Sequence, residues 1–142
     1  MKYLLDTDHI SFLQRGSGSE FSRLTFRMAQ HPIADFALSV VSFHEQVLGA
    51  HNFINRARTN TDLIRGYTLL LETLQGFANA PVLQFDAEAI AVFDRLRGQR
   101  VRVSTMDLRI AAIAMSRNLI LLTRNVSDFS KVPDLVTEDW TV

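Results

Sequence analysis

The chain has 142 residues, enough for one hydrophobic core and too few for two independent ones, and its 47% apolar and 21% charged composition is that of an ordinary globular protein. Fifteen basic residues balance fifteen acidic ones, a formal charge of zero that argues against holding nucleic acid by bulk charge alone. No cysteine is present, which removes disulfides, cysteine-type zinc sites and a thiol nucleophile, and no apolar run approaches the roughly 20 residues of a membrane span. Asp6 and Asp8 interrupt the apolar opening that a signal peptide would need, so a soluble cytoplasmic protein is expected.

Lys2 to Leu5 is a short apolar run ended by Asp6, the pattern of a buried strand. A short helix is expected from His9 to Arg15, a break at Gly16 to Ser19, and a second helix over Glu20 to Gln30 that Pro32 stops. Phe36 to Val41 reads as a second strand. Phe43, Val47, Ala50, Ile54 and Ala57, then Leu63, Tyr67, Leu70, Leu74 and Phe77, recur at helical spacing and predict two amphipathic helices parted near Thr59 to Thr61. Pro81 to Phe85 predicts a third strand, Asp86 to Arg97 a helix closed by Gly98, Met106 to Arg117 another helix, and Leu119 to Thr123 a fourth strand. The tail around Leu135 and Val136 could supply an edge strand. Continuously apolar strands separated by helices imply an α/β fold: one central, mainly parallel sheet of four to five strands, flanked by helices in three layers across a single domain, 1–142.

Ligands bind such sheets at the carboxyl ends of the strands, and acids gather there. Asp6 follows strand one, Glu45 lies one turn into the helix after strand two, Asp107 opens the helix before strand four, and Asp128 follows strand four by a short loop. Each also has a plain structural explanation. Asp8 could cap the first helix, Ser42 to Glu45 matches a capping box, Ser104 to Asp107 has similar spacing, and Asp128 could be a turn residue before Phe129. Four carboxylates in one crevice repel one another, by about 4 kcal/mol for a pair roughly 4 Å apart at an effective dielectric of 20. A hard divalent cation relieves that repulsion, and Mg²⁺ takes one or two carboxylates while keeping waters for phosphate chemistry. The residues thus point to metal-dependent phosphoryl transfer.

Other motifs do not compete well. His44-Glu45 opens like a zinc-protease helix, but Leu48 stands where the second histidine should be. Gly16-Ser17-Gly18 is too short for a dinucleotide fingerprint, and Lys2 and Lys131, the only lysines, leave no Walker lysine. His9, His31, His44 and His51 show no metal-ligand spacing and read as surface or packing residues.

Five segments in order resemble the PIN-domain ribonucleases, and within them the VapC-type toxins of type II toxin–antitoxin systems. They are Tyr3-Leu4-Leu5-Asp6-Thr7-Asp8, Ser39 to Ser42 through Glu45 to Gly49, Met106 to Ala112, Leu122-Thr123-Arg124-Asn125 with Asp128-Phe129, and Thr137-Glu138-Asp139-Trp140. The resemblance implies a Rossmann-like PIN fold and a Mg²⁺ or Mn²⁺ site. It also implies endoribonuclease activity on transfer or ribosomal RNA, inhibition by a small VapB-type antitoxin, a homodimer, and no membrane partner. Carried over by position, Asp6, Glu45, Asp107 and Asp128 form the acidic quartet. Asp6 and Asp107 would be direct metal ligands, with Glu45 and Asp128 acting through water or at a second ion. Asn125 would orient a water or a phosphate. Asp8 stands where the family more often has asparagine, which leaves metal binding, capping or tuning as its roles.

Water activated by the metal would attack the phosphate in line and leave 5′-phosphate and 3′-hydroxyl ends. Arg95, Arg97, Arg100 and Arg102, just upstream of Asp107, are candidate RNA contacts, because the guanidinium fork matches phosphate; a solvated helix face is the plainer explanation for any one of them. Two alternatives compete: a haloacid-dehalogenase-like phosphatase with Asp6 as nucleophile, and a non-catalytic acidic module that binds a partner's arginines.

Overall fold

The computed structural model describes all residues, 1–142. In chain order the elements are β1 (Tyr3–Leu5), α1 (Thr7–Arg15), α2 (Ser19–Met28), a 3-10 turn (Ile33–Asp35), β2 (Phe36–Ser39), α3 (Val40–Arg56) and α4 (Asn60–Ala78). Then follow β3 (Val82–Leu83), α5 (Ala87–Gly98), α6 (Thr105–Ser116), β4 (Ile120–Leu122), α7 (Val126–Phe129) and β5 (Thr137–Glu138). The five strands form one sheet in the order β3-β2-β1-β4-β5, and every pairing is parallel, as the continuously apolar strands imply.

Side chains alternate across the strands, so the sheet feeds two cores. Leu4, Ala37 and Leu121 face one way and pack under α5 and α6 with Phe93, Leu108, Ile110 and Phe129. Tyr3, Leu5, Phe36 and Leu122 face the other way and pack with Ile10, Phe12, Leu24, Phe77 and Trp140. Helix α6 is buried almost throughout, from Leu108 and from Ile110 to Ala114, and its alanines let it lie close against the sheet. Gly66 has the same use in the α3–α4 hairpin, where a Cβ would stand 2.6 Å from Ile54 Cγ1. The outer face of α4 is left uncovered, with Ile64, Tyr67, Leu71 and Leu74 all more than half exposed.

Several boundaries differ from the sequence expectation, and capping explains most of them. Helix α1 starts at Thr7, two residues early, because Asp6 and not Asp8 is its N-cap. Strand β2 stops at Ser39, whose Oγ accepts from the Ser42 N–H at 3.1 Å, so α3 begins at Val40. The expected Ser42–Glu45 capping box is therefore not formed, and Glu45 lies more than a turn inside the helix. Helix α5 runs through Gly98, and the left-handed residue that ends the turn is Arg100 (φ 57°). The edge strand of the tail falls on Thr137–Glu138, just beyond Leu135 and Val136. Asp128 lies in the short helix α7 rather than in a plain turn.

Candidate active site

The chain runs from β1 to β2 and β3 on one side, then returns to place β4 on the other side of β1. The crevice between the carboxyl ends of β1 and β4 is thus the sheet's switch point, where ligands bind in open parallel sheets. Asp6 and Thr123 are the first residues beyond those two strands, and the Thr123 hydroxyl donates to Asp6 Oδ2 at 2.7 Å. The Thr7 N–H donates to Asp6 Oδ1 at 2.8 Å. Asp6 is only 6% exposed. Burial, then the neighbouring Asp8 charge, push its carboxyl up to about 7, against the opposing pull of the Thr123 and Thr7 hydrogen bonds; Asp107 adds to the rise.

Glu45 reaches the same crevice from α3. Thr7 Oγ1 lies 2.9 Å from Glu45 Oε1 and 2.9 Å from Ser42 Oγ, tying α1 to α3 across the mouth. Burial raises the Glu45 carboxyl above its ordinary range; the Thr7 hydrogen bond opposes this, and the charges of Asp107 and Asp8 add to it. Asp107 sits in the first turn of α6, where its N–H is capped by Ser104 Oγ at 3.1 Å. Its carboxyl is also raised, by burial first and by Asp128 and Asp8 after the opposing Ser104 hydrogen bond. These mutual fields place Asp6, Asp8, Glu45, Asp107 and Asp128 in one electrostatic cluster.

Asp128 differs from the rest. Asn125 Nδ2 donates to its Oδ2 at 3.2 Å and Lys131 Nζ lies 3.3 Å from its Oδ1, and together they hold its carboxyl below the usual range. Asp8 differs too: its Oδ2 accepts from the Arg124 N–H at 2.9 Å, with Thr123 Oγ1 at 3.3 Å, and its Oδ1 lies 2.8 Å from His9 Nδ1. It is a tie between α1 and the loop after β4, and it does not cap a helix.

Asp6, Glu45 and Asp107 have no lysine or arginine within ion-pair reach. No three acidic or histidine side chains converge into a ready-made cage. A cation of the Mg²⁺ type does not need one, since it commonly keeps several waters and takes one or two carboxylates. The donor set, all oxygen and electrostatically uncompensated at its inner end, fits such an ion, with Asp6 and Asp107 the residues that would hold it.

Arg95, Arg97, Arg100 and Arg102 are all exposed at the end of α5 and in the loop leading to α6. Arg97 also lines a cleft of about 380 Å³ with Thr105 and Arg109 of α6, the helix that carries Asp107. The residues that sequence reasoning passed over are Thr7, Thr123, Lys131 and above all His9. Histidine spacing gave no hint of it, yet His9 is completely buried with both ring nitrogens bonded. His31 is a packing residue as expected, against Tyr3 and Trp140.

No family model matches the chain. Individual relatives do, along their whole length. A tRNA(fMet)-specific endonuclease VapC of Shigella flexneri is 29% identical over 145 residues, covering 99% of each chain. A ribonuclease VapC1 of Haemophilus influenzae (strain R2866) is 28% identical over 143 residues, again covering 99% of each. Among solved structures, VapBC-1 of nontypeable Haemophilus influenzae superposes with a TM-score of 0.68 at 27% identity over 100% of both chains. Along its whole length the chain is thus similar to proteins named as VapC ribonucleases. The fold agrees independently: VapBC2 of Rickettsia felis, at only 19% identity, matches with a TM-score of 0.74 over 99% of both chains. Within the VapC frame, the aspartate at position 8 has a local reason, since both of its oxygens face donors where an asparagine would offer only one acceptor oxygen.

Proposed function

We propose that this chain is the endoribonuclease toxin of a VapBC-type pair, cutting transfer or ribosomal RNA in the cytoplasm with a divalent cation and silenced by a small VapB-type antitoxin. The observation that carries the reading is Asp6: a buried carboxylate at the switch point, without a cationic partner and surrounded by further acids. The full-length likeness to proteins named as VapC ribonucleases supports it. Uncovered apolar side chains on α4 suit an antitoxin or a second copy of the chain as partner.

Asp6 and Asp107 would hold Mg²⁺ or Mn²⁺. The cation, when bound, supplies positive charge that offsets the carboxylates and draws in the phosphodiester. Thr123 and the Thr7 amide fix the Asp6 carboxylate in place, so the site needs little rearrangement on loading. Glu45, oriented by Thr7 and raised in proton affinity, is the group suited to take a proton. Asn125 and Lys131 keep Asp128 ionised at the outer edge. The arginines at the end of α5 and in the loop before α6, upstream of Asp107 in the chain, offer phosphate-binding forks.

The test is incubation of the purified chain with RNA and Mg²⁺ or Mn²⁺. Cleavage that leaves 5′-phosphate ends, stops with chelator and is lost in Asp6→Ala is expected. Products with 2′,3′-cyclic phosphate, or activity that survives Asp6→Ala, would overturn the reading; a trapped phosphoaspartate would favour the phosphatase alternative instead.

A further inference from the structure

His9 lies behind the acidic crevice with no exposure to solvent. The Trp140 backbone N–H, which can only donate, points at His9 Nε2 at 3.2 Å. Nε2 is therefore the bare nitrogen, the ring is neutral, and its proton sits on Nδ1, from which it is donated to Asp8 Oδ1 at 2.8 Å. Asp139 does not disturb this assignment: its Oδ1 lies 3.8 Å from Nε2 and accepts instead from Thr141 N at 2.9 Å and Thr141 Oγ1 at 2.6 Å.

With Oδ1 occupied by His9, the other oxygen of Asp8 is turned to the Arg124 N–H at 2.9 Å. The Thr123 hydroxyl has a single proton and two carboxylates in reach. The shorter contact, 2.7 Å against 3.3 Å, gives that proton to Asp6. A continuous path thus runs from the C-terminal turn through the imidazole to Asp8, on to the loop after β4, and back to Asp6.

We infer that His9 is a positioning residue for the proposed nuclease: its Nδ1–H tautomer, fixed by the Trp140 amide, locks the Asp8 carboxylate so that it holds the Thr123-Arg124 segment and leaves Asp6 aimed into the crevice. Asp8 accordingly acts by holding that segment rather than as a direct metal ligand. This deepens the proposed function and rests on it, but the hydrogen-bond path can be tested separately.

Two substitutions split the two bonds. The amide of glutamine overlays Nε2, so His9→Gln keeps an acceptor for Trp140 and loses the donor to Asp8. The amide of asparagine overlays Nδ1, so His9→Asn keeps the donor and loses the acceptor. Outer partners of this kind commonly matter by about 10–100-fold. His9→Gln is expected to lower kcat by about that much with KM for RNA unchanged, and to speed hydrogen exchange at the Arg124 amide, while melting near the wild type. His9→Asn should melt lower yet keep kcat within a few-fold.

Nitrogen NMR of the metal-free wild type should show the Nδ1–H tautomer, and Asp8→Asn, which presents an NH₂ to one of the two donors, should disturb that tautomer or the Arg124 protection. An Nε2–H tautomer in the wild type, or His9→Gln with wild-type kcat and wild-type Arg124 exchange, would overturn the inference. If the wild type cuts no RNA at all, the proposed function fails, while the tautomer and the exchange at Arg124 still decide the positioning path. If His9→Gln and His9→Asn both fail to fold, Asp8→Asn and the wild-type tautomer decide it.

Discussion

The inner and outer ends of the crevice treat the same functional group in opposite ways. Asp6 is buried, faces other acids and has no cation beside it, so its carboxyl rises to about 7. Asp128 is half exposed, is held by Asn125 and Lys131, and is pushed the other way. A fold seeking only stability would compensate the buried acid first, because an unpaired buried charge is the costlier one. Here compensation is given at the rim and withheld at the centre. An uncompensated centre is what the proposed cation-dependent reaction would require, since a cation held there would offset the carboxylates.

The largest expected effect lies at that centre. Asp107→Asn and Asp6→Ala should each lower metal-dependent RNA cleavage by at least about 10³-fold, equivalent to roughly 4 kcal/mol of transition-state stabilisation. Single-turnover cleavage with saturating Mg²⁺ checks this. Residual activity within tenfold of the wild type would show that the uncompensated centre is not where the chemistry happens. In metal-free protein Asp107→Asn should melt no lower than the wild type, because the substitution relieves repulsion; marked destabilisation would make Asp107 structural.

The second effect is on stability and has a definite sign. Metal-free Asp6 holds its proton up to about pH 7 when folded, against an ordinary value of 3.8. Between those values the folded state binds more protons than the unfolded one, so stability falls as pH rises through that window. Asp6→Asn removes the slope: at pH 8 the variant should be more stable than the wild type by on the order of 4 kcal/mol, and the gain should vanish near pH 4. Asparagine can still cap α1. Chemical denaturation with chelator at several pH values measures it, and a gain that does not depend on pH would mean the benefit comes from packing rather than charge.

The two ends of the crevice were unequally legible in the sequence. Asp6, Glu45, Asp107 and Asp128 could be named from strand ends and helix starts, because the carboxyl edge of a parallel sheet is set by the alternation of apolar runs and helices. The parallel sheet followed from the same pattern. What composition and spacing could not show was which acid is compensated. Asp128 is compensated by close neighbours in the chain, Asn125 and Lys131, but the burial of Asp6 and its lack of a cation are set by residues far away in the chain, such as Thr123. His9 was missed for the same reason, since its partner Trp140 lies 131 positions away. Helix starts shifted because two residues, Ser39 and Ser42, can each cap α3, and only the packing of β2 selects Ser39.

On the basic side of the site, Arg100→Ala with Arg102→Ala should weaken RNA binding and flatten its salt dependence. Two lost contacts to a single strand correspond to a slope smaller by about 1.4 in log K against log salt. Unchanged binding across salt would return these exposed arginines to the solvent and leave RNA to be held by the cleft that Arg97 and Arg109 line.

The smallest effect sharpens the rim. Lys131 and Asp128 are three positions apart and both half exposed, so their pairing is screened and contributes little to folding. Lys131→Ala should therefore leave the melting temperature almost unchanged while the Asp128 carboxyl rises toward its ordinary range, a shift that carbon-detected NMR titration of the metal-free protein can follow. Asn125 still donates to Asp128, so the rise should be partial, and adding Asn125→Ala should complete it. The effect on cleavage separates two uses of the rim. If Lys131 only keeps Asp128 ionised, the single substitution changes the rate by less than about threefold at pH 8, where an ordinary aspartate is ionised anyway. If instead Lys131 competes with an incoming cation for Asp128, its loss lowers the Mg²⁺ concentration needed for half-maximal cleavage. The compensated acid would then be a gate to the uncompensated one.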